Sequence, residues 1–392
     1  MPTERATLPS QAGWFKDTSV KILFCTPAPL TKSLGAAKVV VELAEEMQTL
    51  GWECDLVSIK DMAAKSGLSL SESLRRHLQE HAGEYDVVDY DHEYLPYSRS
   101  EFSLKPLFVA RSVLLVHHLE TIPIPIGIGL RSQIGHLLKG PSRRKARRER
   151  VQRAQATVAG ADFINVSNHD DKAELVQRGI SPDKIVVIPY GISRTRRILF
   201  DQVSSEPPKQ PVVAFVGTFD YRKGAREFPK IVASVAEAVP GVRFKLLGTK
   251  GLFLTEAAVR SHFPKRLQQA LEVIPAYQPE ELPQHLASCS IGIFPSYMEG
   301  MPFGVLEMMA SSLPVIAYDA PGLPMLLPPE YLVTRGDWQS LSRRVVTLLQ
   351  GKNSLEAERI TAKQLSHVYS WEATGKMTHT FYLQNHHEAL RV

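Results

Sequence analysis

Pro295-Ser296-Tyr297-Met298-Glu299-Gly300-Met301-Pro302-Phe303-Gly304-Val305-Leu306-Glu307 follows a strand-like run, Ser290-Ile291-Gly292-Ile293-Phe294, and precedes a second one, Leu313-Pro314-Val315-Ile316-Ala317. The stretch from Gly304 to Ser312 reads as a helix between them. Strand, turn, helix and strand make one right-handed α/β unit, and such units bind ligands at the carboxyl ends of their strands. The helix start, Met301 to Val305, is expected to offer unpaired backbone N–H groups at its positive end, where phosphate or sugar oxygens are held. Glu299 precedes that helix and Glu307 lies in its second turn, so both can face one ligand. A carboxylate that accepts hydroxyl hydrogens makes charge-assisted bonds of about 1.5–3 kcal/mol each.

The same alternation extends outward. Val20-Lys21-Ile22-Leu23-Phe24 reads as a first buried strand and Gly35 to Leu50 as a helix with Val39, Val40, Leu43 and Met47 on one side. Glu53 to Ile59 follows as a strand. Ser112 to His118 is read as a strand ending in His117 and His118, and Asp170 to Arg178 as a helix. Arg194 to Arg197 and the Pro-rich 204–211 read as a linker. Val212 to Val216 opens a second unit, whose loop Thr218 to Gly224 carries Arg222-Lys223-Gly224. No internal repeat is visible.

Two glutamates at this spacing alone occur on many solvated helices. The full string is more specific: Pro-Ser before Glu299, Phe-Gly between the acids, and Leu-Glu-x-Met-Ala followed by Pro-Val-Ile-Ala. It resembles the E-x7-E signature of the retaining family-4 glycosyltransferases. The resemblance runs over about residues 20–385 and implies an α/β GT-B fold, two Rossmann-like domains facing across a cleft. It places a flexible tail at 1–19, an acceptor-side domain at 20–198 plus 373–392, a linker at 199–211 and a nucleotide-sugar-binding domain at 212–372. By resemblance Glu307 holds the ribose hydroxyls and Glu299 lies by the donor sugar. Lys223, with Arg222, neutralises the diphosphate. Gly35 lets the backbone approach the phosphates, and His117, with His118 as the alternative, reaches the transferred sugar. Tyr277 stacks near the base, and Met301, Pro302, Phe303, Gly304 and Val305 line the donor.

The chain departs from the family pattern at Leu34, Tyr190, Thr218 and Met325, where a glycine, an asparagine, an arginine and an acid are usual. What the resemblance implies is retaining, metal-independent transfer of a hexose-type sugar from a nucleotide sugar, a UDP-sugar being favoured over a GDP-sugar, to a hydroxyl acceptor. No cofactor is expected beyond that co-substrate. A GT-B epimerase or phosphorylase and a non-catalytic glycan-binding module remain the alternatives. The Asp89-Tyr90-Asp91 triplet is rejected as a metal-binding motif, and Asp91, His92 and Glu93 are read as a loop near the acceptor.

Composition bounds these readings. With 44% hydrophobic and 22% charged residues the chain is an ordinary globular one, and its 392 residues suffice for two cores. No apolar run approaches the ~18–20 residues that span a bilayer. Cys25, Cys54 and Cys289 match no metal or redox spacing, which points to a reducing cytoplasm. The net charge of +5 is local, since Lys139 to Arg153 holds eight basic residues against one acid. A solvated helix face is the first reading of that segment. A cytoplasmic, anionic membrane surface is the second, because the uncharged loop Thr121 to Leu130 precedes it. Nucleic acid is set aside, as no aromatic residue lies among the arginines to stack on bases.

Overall fold

The computed structural model describes residues 20–30, 35–125 and 130–389. The proposed tail at 1–19, Leu34, and part of the apolar loop at 126–129 lie outside the described residues. The first half builds a six-stranded sheet from β1 (Lys21–Thr26), β2 (Glu53–Ser58), β3 (Val87–Asp91), β4 (Leu107–Arg111), β5 (Phe163–Val166) and β6 (Ile185–Val187). The second half builds another from β7 (Val212–Val216), β8 (Arg243–Leu247), β9 (Leu271–Ile274), β10 (Ile291–Phe294), β11 (Val315–Tyr318) and β12 (Leu332–Val333). Around the first sheet run α1 (Gly35–Thr49), α2 (Ile59–Ser66), α3 (Leu70–His81), α4 (His118–Thr121), α5 (Leu130–Gly160) and α6 (His169–Gln177). After α7 (Arg194–Asp201) the second domain adds α8 (Phe228–Ala238), α9 (Glu256–Arg260), α10 (Lys265–Gln268) and α11 (Leu282–Ala287). It continues through α12 (Phe303–Ala310), α13 (Trp338–Gln350) and α14 (Lys352–Ser366), and α15 (Trp371–Ala389) is the last helix.

Every strand pairing is parallel, in the orders β2-β1-β3-β4-β5-β6 and β12-β11-β10-β7-β8-β9. A parallel sheet covered on both faces needs continuous apolar strands, and β4, β7, β10 and β11 are buried at every residue. The chain reverses direction across the second sheet between β7 and β10. That is its switch point, so the loops after these two strands share one crevice.

Two sequence expectations are corrected. The strand expected over Ser112 to His118 is instead β4, Leu107–Arg111; past Arg111 only Ser112 still bonds the sheet, through its N–H to the Asn165 carbonyl at 2.8 Å. Apolar character continues through Val116, so composition could not mark where pairing ends. Arg194 to Arg197, read as linker, begins α7, because Arg196 and Phe200 turn inward on one helical face. Cys25, Cys54 and Cys289 are free thiols.

The last helix returns to the first domain. Gly375 on α15 packs against Glu46 of α1, and Trp52 Nε1 donates to His379 Nδ1 at 2.9 Å. Tyr382 donates to Asp89 Oδ2 at 2.5 Å, and Arg111 holds the same carboxylate at 2.6 Å, all three side chains buried. Asp89 is therefore a structural anchor. Tyr190, where asparagine was the expected residue, is fully buried and stacks on Trp371 (5.6 Å, 21°) and on Phe303 (6.2 Å, 10°). Those stacks join the end of the first domain to the start of α12.

Among the described residues no helix is long and apolar enough to cross a membrane. The basic segment lies on α5, a continuous helix that carries Pro141. Arg150 and Arg153 turn inward to Glu93, and Arg147 donates to the Leu119 carbonyl. Arg143, Arg144, Lys145 and Arg148 stay exposed.

Candidate active site at the switch point of the second sheet

β7 ends at Val216, and after Gly217 the next residues form a turn built around Asp220. Its carboxylate accepts from the Thr218 hydroxyl (2.7 Å) and the Lys223 N–H (3.0 Å), and its carbonyl accepts from the Ala225 N–H. Gly224 sits at φ +83°, and a Cβ there would lie 2.4 Å from the Pro295 carbonyl oxygen. Only glycine lets the two switch-point loops approach so closely. From this turn Arg222 and Lys223 reach the loop after β10.

Glu299 Oε1 receives Lys223 Nζ at 2.9 Å, Arg222 Nη1 at 2.9 Å and the Ser296 hydroxyl at 2.5 Å. Its Oε2 has no bonded partner among the described residues. Lys223 also lies over the Phe294 ring, 4.8 Å from the centroid. Burial alone would raise the Glu299 carboxyl, but the two cations outweigh it and hold the group below the usual carboxylate range. Burial lowers the Lys223 ammonium, and Glu299 offsets part of that. Lys223 and Arg222 thus face the Glu299 carboxylate, and the Asp220 carboxylate of their own turn also acts on both cations.

The start of α12 adjoins this cluster. Of the five residues from Met301 to Val305, Phe303 and Val305 already donate their N–H groups, to the Met301 and Pro302 carbonyls at 2.9 Å. The expectation of free amides at Phe303 and Val305 is therefore corrected: the first turn tightens onto Met301 and Pro302 and uses both. Pro302 has no N–H, which leaves the amides of Met301 and Gly304 without backbone partners among the described residues. Gly304 packs on the end of β7, 2.3 Å from the Val216 carbonyl by its virtual Cβ, which fixes the helix start beside Lys223.

Glu307, buried in α12, is bound by Arg196 of α7, Nη1 to Oε1 at 2.7 Å. Tyr277 lies close enough for both charges to act on it, burial being the larger cause of its raised phenol. Its ring covers Gly248, whose virtual Cβ would be 3.2 Å from the ring edge. Lys38 of α1 reaches from the first domain to 5.3 Å above the Phe303 ring, and Gly35 opens the same helix. The domains also touch directly: Asn168 Nδ2 donates to the Gly300 carbonyl (3.0 Å) and Gly322 N–H to Asp170 Oδ2 (3.0 Å). A Cβ on Gly300 would lie 1.9 Å from the Val113 carbonyl oxygen, so this contact requires glycine.

His117 is fully buried in the first domain, both ring nitrogens without a partner, its ring 6.4 Å from that of His92. It makes no bond to Glu299, Lys223 or Arg222. His118, the alternative, is held by Asp171 through Nε2 at 2.8 Å. Burial first, then the neighbouring His92 and Arg178, pushes His117 down to about 3; burial pushes His92 down to about 4. Both are neutral at pH 7, while the unfolded chain protonates them near pH 6.5. The unfolded state therefore binds more protons below that pH, and stability falls as pH drops from 6.5 toward 4. We expect wild type to lose roughly 2 kcal/mol per buried imidazole between pH 7 and pH 5. His92→Gln with His117→Gln should flatten that slope in urea titrations at the two pH values, and an unchanged slope would exclude these residues as its source.

Asp91, His92 and Glu93 bring one ligand atom each within 4.8 Å of one another. Both Glu93 oxygens, however, are bonded to Arg150, at 2.5 and 2.7 Å. Burial, and next the Glu93 charge, raises Asp91 to about 7. The sequence reading missed Arg196, Lys38, Ser296 and Asp220. Ser296 stood inside the opening stretch, but Arg196 lay in a run that looked like solvated linker.

Known proteins share this architecture. Sucrose-phosphate synthase from Thermosynechococcus elongatus superposes with a TM-score of 0.66 over 93% of this chain and 98% of that one, at 17% identity. HepE of Anabaena, solved in complex with UDP-glucose, superposes with a TM-score of 0.64 over 93% and 99%, at 15% identity. The chain thus has the two-domain GT-B fold. Residues 210–351 match the family model "Glycosyl transferases group 1", a span that lies in the second domain. The sulfoquinovosyl transferase SQD2 of Arabidopsis thaliana is 27% identical over 183 residues, 44% of this chain and 33% of that protein. The chain thus matches about a third of that relative's length.

Proposed function

We propose that the protein is a retaining glycosyltransferase that moves a hexose-type sugar from a nucleotide sugar to a hydroxyl acceptor. The observation that carries the reading is the convergence of Lys223 and Arg222 on Glu299 at the switch point. There the two cations adjoin the amides of Met301 and Gly304. A departing diphosphate gains negative charge in the transition state, and donors fixed in advance stabilise that charge most. Lys223, Arg222 and the helix start take this role. The free Oε2 of Glu299 accepts from a hydroxyl of the transferred sugar, and Glu307 accepts from the ribose. The match of residues 210–351 to the family model supports a nucleotide-sugar donor in the second domain.

In the reaction the bond from the anomeric carbon to the diphosphate oxygen breaks and a bond to the acceptor oxygen forms on the same face. The acceptor proton passes to the leaving phosphate, so no side-chain base and no metal ion are needed. Asp91, His92 and the rest of the first-domain loops face the acceptor. UDP-sugars are the favoured donors, and HepE, solved with UDP-glucose, is a neighbour of matching fold. A cytoplasmic location accords with the three free thiols. The exposed Arg143, Arg144, Lys145 and Arg148 face solvent or an anionic membrane.

A thermal-shift screen with UDP-, GDP- and ADP-sugars tests the donor. One nucleotide should raise the melting temperature, and the labelled sugar should then appear on an added hydroxyl acceptor with its anomeric configuration kept. Binding without transfer to any acceptor class would instead favour a non-catalytic module. Donor isomerisation would favour an epimerase.

A further inference from the structure

We propose that Arg196, on the helix that joins the two domains, is a positioning residue for ribose recognition. It orients Glu307 and offers its own Nε–H to the nucleoside of the donor. The inference rests on the reading of the site as one for a nucleoside diphosphate.

Arg196 is buried at 7% exposure, unusual for a hinge-helix arginine. Its Nη1 bonds Glu307 Oε1 at 2.7 Å, its Nη2 lies 3.5 Å from the Pro279 carbonyl, and its guanidinium carbon is 5.3 Å from the Phe200 ring centroid. Burial opposes its charge, but Glu307 outweighs that and holds the guanidinium above its ordinary value, with Tyr277 and Glu42 adding to the same effect. The Nε–H has no partner although it is buried. Buried donors are nearly always satisfied, so an orphaned one marks a place where a ligand atom completes the set.

The geometry follows from the elements. Pro279 and Tyr277 belong to the segment after β9, Glu307 to α12, and Arg196 to α7. With Oε1 tied to Arg196, the carboxylate keeps one rotamer and presents Oε2, which has no partner among the described residues. A ribose hydroxyl donates to Oε2, and an oxygen of the same nucleoside accepts from Nε–H. Without Arg196 the Glu307 side chain loses this restraint, and hydroxyl recognition weakens more than diphosphate recognition does. A residue that only braced the hinge would weaken binding of every nucleotide by the same factor.

That difference sets the experiment. Calorimetric dissociation constants are measured for UDP, GDP and ADP with wild type. The best binder is then compared with its 2′-deoxy and 3′-deoxy forms in wild type, Arg196→Gln and Arg196→Lys. In wild type, removing a hydroxyl that Glu307 accepts should weaken binding about tenfold or more. In Arg196→Gln this ratio should shrink to under about threefold, with Arg196→Lys between the two. If the Gln variant does not fold, the Lys variant decides by the same ratio. Affinities that fall equally for all forms, or do not change, overturn the inference while leaving the donor site standing. A wild type that binds its diphosphate without regard to either hydroxyl overturns it too. If wild type binds none of the three diphosphates, the donor reading itself falls.

Discussion

Replacing Lys223 by alanine should lower sugar transfer by about 10²–10³-fold in kcat while the melting temperature stays near that of wild type. Lys223 Nζ and Arg222 Nη1 share Glu299 Oε1, each at 2.9 Å. Removing the lysine leaves the carboxylate paired with Arg222 and with the Ser296 hydroxyl, so no charge is stranded in the interior. One of the two cations beside the helix start disappears, and with it the stabilisation of the departing diphosphate. Glu299→Ala is a poorer test, because it leaves two cations side by side without their counter-ion and mixes stability with activity. Arg222→Ala should cost less, since that side chain is more exposed (25% against 13%) and is held partly by the Met298 carbonyl. Steady-state rates with saturating donor, read beside thermal melts, separate the two effects. Turnover within a few-fold of wild type would remove Lys223 from the reaction.

The residues of this cluster were legible in the sequence because their order along the chain already carries the geometry. Two apolar strands that end in Arg-Lys-Gly and in Pro-Ser-x-x-Glu adjoin at a switch point whenever the sheet is parallel and doubly wound. The Glu299 to Glu307 spacing, the apolar face of α1 and most strands follow from local periodicity in the same way. The Arg196–Glu307 bond was not legible, since 111 positions separate the partners and four residues rich in arginine look like linker. The Asp89–Arg111–Tyr382 network likewise joins a strand to a helix 293 positions on. Pairing at that distance depends on how whole layers pack, which no local pattern encodes. The strand misplaced onto Ser112 to His118 has the opposite cause: apolar residues continue past Arg111, so local pattern persisted where hydrogen bonding had ended.

The hinge explains why such long-range contacts gather where they do. A chain that crosses between domains carries irregular backbone into a buried seam, and its polar groups need partners there. Tyr190, Arg196 and Arg197 supply some from the first domain, with Arg197 donating to the Ser366 and Tyr369 carbonyls. Lys363 donates to the Asp201 and Val203 carbonyls, and Arg359 supplies more.

Arg359→Met should therefore destabilise the protein by about 3–5 kcal/mol, the largest loss expected from a residue that touches no substrate. Arg359 is fully buried on α14, and no carboxylate pairs with it among the described residues. Its guanidinium instead donates to four backbone carbonyls: Ser205 (2.8 Å), Cys289 (2.8 Å), Ser290 (2.9 Å) and Ser204 (3.0 Å). Two belong to the inter-domain linker and two to the entry of β10, so one side chain ties the linker to the strand that delivers Glu299. Burial pulls the group down to about 10, which still leaves it charged at neutral pH. Methionine nearly fills the volume, so the packing loss is small and the effect reports the four acceptors left without donors. Lysine should recover part of the loss, because one ammonium cannot span both pairs of carbonyls. Urea titrations of the three proteins give the free energies, and limited proteolysis should cut the methionine variant first near Ser204. A loss under about 1 kcal/mol would mean that water replaces the guanidinium at little cost. The linker would then owe its position to the Tyr190–Trp371 stack.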